Sequence, residues 1–298
     1  MAFQFDQLRT LVALVDEGSF EAAARRLHLT QSAVSQRVKA MEQEAGSVLV
    51  RRTAPVTTTA AGDVLLRYAR QVELLDADAA RDLAGDAAGG ATTVPLAVNA
   101  DTLATWFLPA VADVVVELGV ALDVRREDQD HTTRLLRDGT VLAAVTSTAE
   151  PVQGCTSTPL GASRYLAVAS PAYRDRHLVG VGLEALAAAP RLDFDRQDEL
   201  QRGFVHDVVG AVDTAPRHYV PTSSDFARSV ELGLGWGLLP EDQCLEQLAA
   251  GRLVDVAPGR HVDVALWWQR WNLTSPLLDR LSEAVLAGAW SHLRPVTR

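Results

Sequence analysis

Cysteine is scarce in this chain: Cys155 and Cys244 are the only two in 298 residues, far apart and in no metal-ligand spacing. That excludes a disulfide scaffold and a thiolate zinc site. It suits two buried thiols of a cytosolic protein, with a redox-sensing pair as the lesser alternative. No run is long and apolar enough to span a membrane. Residues 1–14 have no basic leader and their apolar run is broken by Asp6 and Arg9, so no export signal is expected and the location is expected to be cytoplasmic. The seven histidines form no HExxH or comparable cluster and there is no GxSxG nucleophile elbow; no metal and no organic cofactor is expected. GLGWG at Gly233–Gly237 lacks the GxGxxG spacing and leads into a short strand ending at Pro240, so it reads as a turn between packed elements. Lysine is nearly missing too, with Lys39 alone, and basic charge falls to arginine. No catalytic constellation is left, and the chain reads as a binding protein rather than an enzyme.

What is present starts at residues 19–46. Phe20, Ala23, Ala24 and Leu27 fall at i, i+3, i+4 and i+7, one apolar face of a helix. Ser19 before it and Thr30 before the next helix are good N-caps. In that second helix Val34, Val38 and Met41 form the buried stripe. The opposite face carries Gln31, Ser32, Ser35, Gln36 and Lys39, all able to hydrogen-bond and none negative. Amphipathicity alone would fit any small three-helix unit. Three additions select a groove-reading helix-turn-helix. Phe5, Leu8, Leu11, Val12 and Val15 supply a preceding helix. Residues 47–59, SVLVRRTAPVTTT, read as two short strands around Ala54-Pro55, a wing. Arg51, Arg52, Thr53 and the Thr57–Thr59 run offer phosphate contacts at its edge, as Arg37 and Lys39 do on the helix, while Thr30, Gln31, Ser32, Ser35 and Gln36 suit base edges.

These residues resemble the LysR-type transcriptional regulators, bacterial proteins with an N-terminal winged helix-turn-helix. The resemblance is carried by GSF-AAA-L at 18–27, LTQSAVS at 29–35 and ME at 41–42, then Gly46, Leu49, Arg52, Thr59 and Gly62 at the family's spacing. Val50 stands where the wing usually has Phe and would fill its core less well. Ala61 stands where Glu often follows the helix cap.

A net charge of −10 is at odds with DNA binding until its distribution is read. Six basic residues and three acids lie between Gly18 and Thr59, a local +3; from Gly85 onward there are 18 basic and 27 acidic residues. The basic patch is confined to the expected DNA face. So modest a patch predicts weak binding by a monomer, with dimerisation needed for affinity and for a two-fold site. From 59 to 83 the chain is rich in Ala, Leu and Asp and has no proline, and Leu65, Tyr68, Val72, Leu75 and Ala79 space a heptad seam. About 25 residues of helix would be roughly 37 Å long, enough to separate two DNA-binding heads. The alternative is a helix packed on its own domain. In the resembled family this segment is the linker helix that pairs two subunits. Residues 84–93, AGDAAGGATT, read as the hinge that ends it.

The rest alternates short apolar strands and helices, an α/β pattern. Strands are expected at 94–100, 121–127, 141–147, 164–170, 190–194, 237–240 and 264–270, with helices at 102–117, interrupted near Pro109, and at 132–138. By resemblance this is a two-lobed effector domain like a periplasmic solute-binding protein, with the ligand in its cleft. The implied architecture is an α/β multidomain chain: winged helix-turn-helix 1–59, linker helix and hinge 60–91, effector domain 92–298, with lobe I at 92–162 and 268–298 and lobe II at 163–267. AVNADTLATWFLPA at 97–110, EDQDHT at 127–132, VLAAVTS, RYLAVASP, HYVP and LGLGWGLLPE resemble the subgroup regulating lysine and arginine export, often called LysG or ArgP. Leu142 stands where many family members have Asp, in line with that subgroup.

An amino-acid effector needs sites for its carboxylate, its ammonium and its side chain. Asp101 and Thr102 stand where a strand gives way to a helix, where free backbone N–H groups and the Thr102 hydroxyl would hold a carboxylate. Asp101 is equally placed to cap that helix. Ser223 and Ser224, before a helix near Asp225, offer the same. Asp128, Asp130 and Asp225 are candidate counter-ions, each equally readable as a solvated loop carboxylate, and Trp106 would give apolar or cation–π packing. His131 is more a structural hydrogen-bonder than a ligand contact. Asn99 and Thr146 complete the candidate set. The expected function is an effector-controlled DNA-binding regulator acting on an exporter gene. Its expected partners are dyad-symmetric double-stranded DNA, lysine or arginine, further copies of itself in a dimer or tetramer, and RNA polymerase; no membrane partner is expected. A different amino acid or small anion is the alternative effector. An enzyme or solute-binding protein with an incidental helical N-terminus is the remote one.

Overall fold

The computed structural model describes residues 3–84, 92–126, 129–180 and 182–295. Asp128 and most of the expected hinge lie outside the described residues, as do the side chains of Asp130 and His131. In chain order the elements are α1 (Phe5–Glu17), α2 (Phe20–Arg26), α3 (Gln31–Ala45), β1 (Val50–Arg51), β2 (Thr57–Thr58), α4 (Ala60–Ala84), β3 (Thr93–Val98), α5 (Ala100–Thr102), α6 (Leu108–Leu118), β4 (Ala121–Arg126), α7 (Gln129–Arg137), β5 (Ala143–Thr146), β6 (Cys155–Ala169), α8 (Pro171–His177), β7 (Arg191–Asp193), α9 (Leu200–Phe204), β8 (Arg217–Tyr219), α10 (Ser223–Glu231), β9 (Gly237–Pro240), α11 (Glu241–Ala249), β10 (Val254–Asp255), β11 (His261–Trp271) and α12 (Pro276–His292). Among the described residues no helix is long and apolar enough to cross a membrane.

The chain forms two compact units: Met1–Val98 with Asp113–Thr158 and Trp268–Glu283, and Asn99–Ala112 with Pro159–Trp267 and Ala284–Arg298. The second unit takes in 99–112 and 284–298, stretches the sequence grouped with the first lobe. Packing explains the difference: a Cβ on Gly288 of α12 would lie 2.3 Å from that of Ala110.

In the first unit, Ser19 and Thr30 cap α2 and α3, accepting from the N–H groups of Ala22 and Ala33 at 3.2 Å each. Leu8, Leu11, Leu14, Val34, Val38, Met41 and Leu49 make the core of the DNA-binding head, and Val50 joins it at 4% exposed. Strands β1 and β2 pair antiparallel, Val50 against Thr58, as the wing. Helix α4 starts against the wing with no space to spare. A Cβ on Gly62 would lie 1.9 Å from the Leu49 carbonyl oxygen, so only glycine fits there. The heptad reading of α4 is corrected in part. Leu65 is 7% exposed and Val72 packs on the head, so both serve the chain's own core. Tyr68 and Leu75 do face solvent, joined by Val64 and Leu83. Beyond the helix, β3 lies between β4 and β5, parallel to both.

In the second unit β6 pairs antiparallel with β9 and β10, and β7 runs parallel to β8. One core gathers Tyr173, Phe204 and Trp236; a second gathers Phe226, Val230, Leu239 and Cys244. The interruption expected near Pro109 takes the form of a π-helical turn at Leu103–Phe107, and the helix then runs on through Pro109 to Leu118. Proline has no N–H and its ring crowds the carbonyl four residues back, and the wider turn absorbs both effects. Cys155 and Cys244 are free, and burial pushes their thiols up to about 11 and about 12. Such thiols stay protonated and unreactive.

Candidate DNA-binding face and effector site

Helix α3 presents Gln31, Ser32, Gln36 and Lys39 to solvent, with Ser35 half-buried among them. Positions 31, 32, 35, 36 and 39 share one face, opposite Val34, Val38 and Met41, because i, i+4 and i+8 stack along a helix. Arg51 and Arg52 are exposed at the wing, the Arg52 guanidinium lying 5.0 Å from the centre of the Phe20 ring. Three expected contact residues are occupied within the fold. Arg37 turns back to α1, pairing with the Asp6 carboxylate at 3.1 Å and donating to the Thr10 hydroxyl at 3.2 Å. It ties two helices together and is withdrawn from the phosphate set. Thr30 is the α3 cap and is bonded to Ser32 at 2.9 Å. The Thr53 hydroxyl donates to the Pro55 carbonyl at 2.6 Å and shapes the wing turn. Glu42, counted above as an opposing charge, accepts from the Leu49 N–H at 3.0 Å and fixes the wing to α3.

In the second unit, half-buried Asp101 is the centre of a polar network whose partners Ser223 and Tyr165 are buried. The Ser223 hydroxyl donates to its Oδ1 at 2.6 Å and the Tyr165 hydroxyl to its Oδ2 at 2.8 Å. Gln243 Nε2 donates in turn to Ser223 Oγ at 2.9 Å. Burial raises the Asp101 carboxyl above its usual range, only partly offset by the hydrogen bonds from Ser223 and Tyr165. Tyr165 is pushed well above the ordinary phenol range, first by burial and then by Asp101. No ion pair among the described residues reaches Asp101. Neither Tyr165 nor Gln243 was singled out from sequence. The inward alternation of RYLAVAS was the available signal for Tyr165; Gln243 sits in an ordinary polar helix and offered none.

The other candidates divide. Asn99 caps the helix, accepting from the Thr102 N–H at 2.8 Å. The cap is therefore not Asp101, and the Thr102 N–H is not free for a carboxylate. Trp106 is 2% exposed and meets Phe107 edge-on with ring centres 6.3 Å apart, which speaks for core packing rather than a ligand wall. Ser224 and Asp225 are exposed, Asp225 accepting from Thr222. Thr146 belongs to the first unit, where it donates to the Thr148 carbonyl and accepts from Gln269.

Residues 5–63 match the family model described as bacterial regulatory helix-turn-helix protein, lysR family, and residues 88–290 match the LysR substrate binding domain. The lysine export transcriptional regulatory protein LysG of Corynebacterium glutamicum is 45% identical over 292 residues, covering 97% of this chain and 99% of that one. The crystal structure of ArgP from Mycobacterium tuberculosis superposes with a TM-score of 0.84 at 45% identity, over 97% of this chain and 98% of that one. Full-length LysG from Corynebacterium glutamicum with bound effector Arg superposes with a TM-score of 0.77 at 42% identity, over 98% of this chain and all of that one. A winged head with a polar recognition face, a long helix and an α/β body are thus joined in one chain, which belongs to the LysR family of bacterial transcriptional regulators, in its LysG and ArgP branch.

Proposed function

We propose that this regulator binds dyad-symmetric promoter DNA in the cytoplasm as a dimer or tetramer, responds to arginine or lysine, and controls an amino-acid exporter gene in concert with RNA polymerase. The observation that carries the effector reading is the likeness, over 98% of the chain, to a regulator holding arginine. Asp101 supports it. A carboxylate partly withdrawn from water without a counter-ion is costly, and a cationic group brought to it would offset that cost. Asp101, Ser223 and Tyr165, all of the second unit, form the polar core of the proposed effector site, with Ser224, Asp225 and Asn99 as further candidates in that unit; Thr146, Asp128 and His131 are candidates on the sequence alone. Gln31, Ser32, Ser35 and Gln36 are the proposed base readers, and Lys39, Arg51 and Arg52 the phosphate contacts.

Footprinting on the promoter of the neighbouring gene tests both halves. Dyad-symmetric protection that changes in extent or bend with arginine or lysine is expected. No protection under any condition would remove the DNA reading; a response to leucine and none to arginine or lysine would remove the basic-effector reading.

A further inference from the structure

In the first unit, one carboxylate ties three elements of the head and linker to the sheet behind them. Asp16, near the end of α1, is 16% exposed and receives three arginines: Arg26 of α2 at 3.0 Å, Arg70 of α4 at 2.5 Å and Arg125 of β4 at 3.3 Å. Burial alone would raise its carboxyl, but Arg70 and Arg26 hold it below the usual range, so it stays ionised. Arg26 and Arg70 belong to the head and its linker helix. Arg125 belongs to the sheet. The linker helix itself is seated on the same body: the Ser275 hydroxyl donates to Asp78 at 2.5 Å, and a Cβ on Gly139 would lie 2.6 Å from the Cα of Arg67.

Arg125 has a second partner. Its Nε and Nη2 lie 3.3 and 3.2 Å from Asp123 Oδ2, two residues back on its own strand. Asp16 has the longest of its three contacts here. If Arg125 leaves, Asp16 keeps Arg26 and Arg70 while Arg125 keeps Asp123, and no buried charge is stranded. A link that can open without that penalty can be shifted by a modest bias, which suits a coupling element. Its position on the sheet suits the task. Arg125 stands opposite Ala97 in the ladder, and β3 runs from Ala97 through Val98 directly into Asn99 and Asp101. A shift of β3 reaches Arg125 through one rung of backbone hydrogen bonds.

We infer that Asp16 is a positioning residue for regulation: through its contact with Arg125 it sets the DNA-binding head against the effector sheet, and effector-driven movement of β3 opens or closes that contact. The inference rests on the effector-responsive reading above, and its test separates the two.

The test compares Arg125→Glu, which places a like charge before Asp16, with Arg125→Lys, which keeps the charge, and with the milder Arg125→Ala. In the ligand-free protein, amide exchange at the end of α1 and in α2 should quicken at least several-fold in Arg125→Glu, less in Arg125→Ala and not in Arg125→Lys, with α10 unchanged in all three. On promoter DNA, Arg125→Glu should bind arginine as the parent does and bind DNA without effector within about twofold, yet lose most of the arginine-dependent change in bend; Arg125→Lys should keep it. Unchanged exchange in Arg125→Glu, or a full effector response, overturns the inference. Loss of arginine binding itself also overturns it, because Arg125 would then belong to the effector site. If the parent protein responds to neither arginine nor lysine, the effector reading has failed, and the exchange measurement alone decides the link between head and sheet.

Discussion

Glu73 illustrates how much a single side chain's surroundings decide. It lies on α4 beside a cavity of about 390 Å³ also lined by Arg9, Asp16, Arg26, Arg70 and Asp123. Burial raises its carboxyl to about 7; Arg70, Arg26 and Arg9 pull it down, and Asp16 pushes it up further. The sign of the resulting pH dependence follows from linkage. Below pH 4.5 the group is protonated whether the chain is folded or not, and it carries no penalty. Between about 4.5 and 7 the folded chain holds a proton that the unfolded chain has released, so stability falls as pH rises; above 7 the penalty is complete. Glu73→Gln does not titrate. Its stability relative to the parent should therefore improve from pH 5 to pH 8 by on the order of 1–3 kcal/mol. Thermal unfolding at the two pH values reads this directly, and parallel profiles for parent and variant would contradict it.

At the scale of elements, α4 does two things with two faces. Leu65, Leu66 and Ala69 complete the core of the head, while Val64, Tyr68, Leu75 and Leu83 are 59, 49, 46 and 89% exposed. These exposed positions recur at helical spacing, and a second copy of the helix is the occupant such a stripe suits. Tyr68→Arg with Leu75→Glu should halve the mass in sedimentation at micromolar concentration with the melting temperature of the head little changed; an undiminished oligomer would place the interface elsewhere. The sequence could not divide the two faces, because heptad spacing does not say which neighbour a leucine meets. Where the determinant is local, the sequence suffices: Ser19 and Thr30 cap because the cap hydrogen bond spans only four consecutive residues. The first half of β6 lies outside the expected strand at 164–170: Pro159 and Gly161 disfavour a strand locally, and the pairing that makes it one comes from distant chain. Strand β8 was missed for a similar reason, being three exposed residues, two of them polar. The candidate site shows the same divide. Asp101 and Ser223 were each legible as polar residues at the start of a helix, whereas Tyr165 was not, and the three converge only through the tertiary fold.

For the whole molecule, charge and copy number set how the head meets DNA. The body is strongly acidic and repels the duplex, so the attraction rests on a few cations per head. Arg37 is spent on Asp6, which leaves Lys39, Arg51 and Arg52 as the proposed phosphate contacts on α3 and the wing. Three contacts in each of two heads predict that log affinity falls with log salt at a slope of about −5. A single head would show about half that slope and would bind too weakly to hold a promoter at physiological salt. Lys39→Ala in the dimer removes two contacts. It should lower affinity for promoter and random duplex alike and reduce the slope by about 2. Gln36→Ala touches no phosphate in this scheme. It should weaken the promoter complex by about 1–3 kcal/mol per half-site while leaving random DNA and the salt slope nearly unchanged. Titrations of both DNAs from 50 to 200 mM salt distinguish the two variants. If Gln36→Ala weakened both DNAs equally, or Lys39→Ala acted only on the promoter, sequence reading and charge neutralisation would not be divided between these two side chains of the exposed α3 face as proposed.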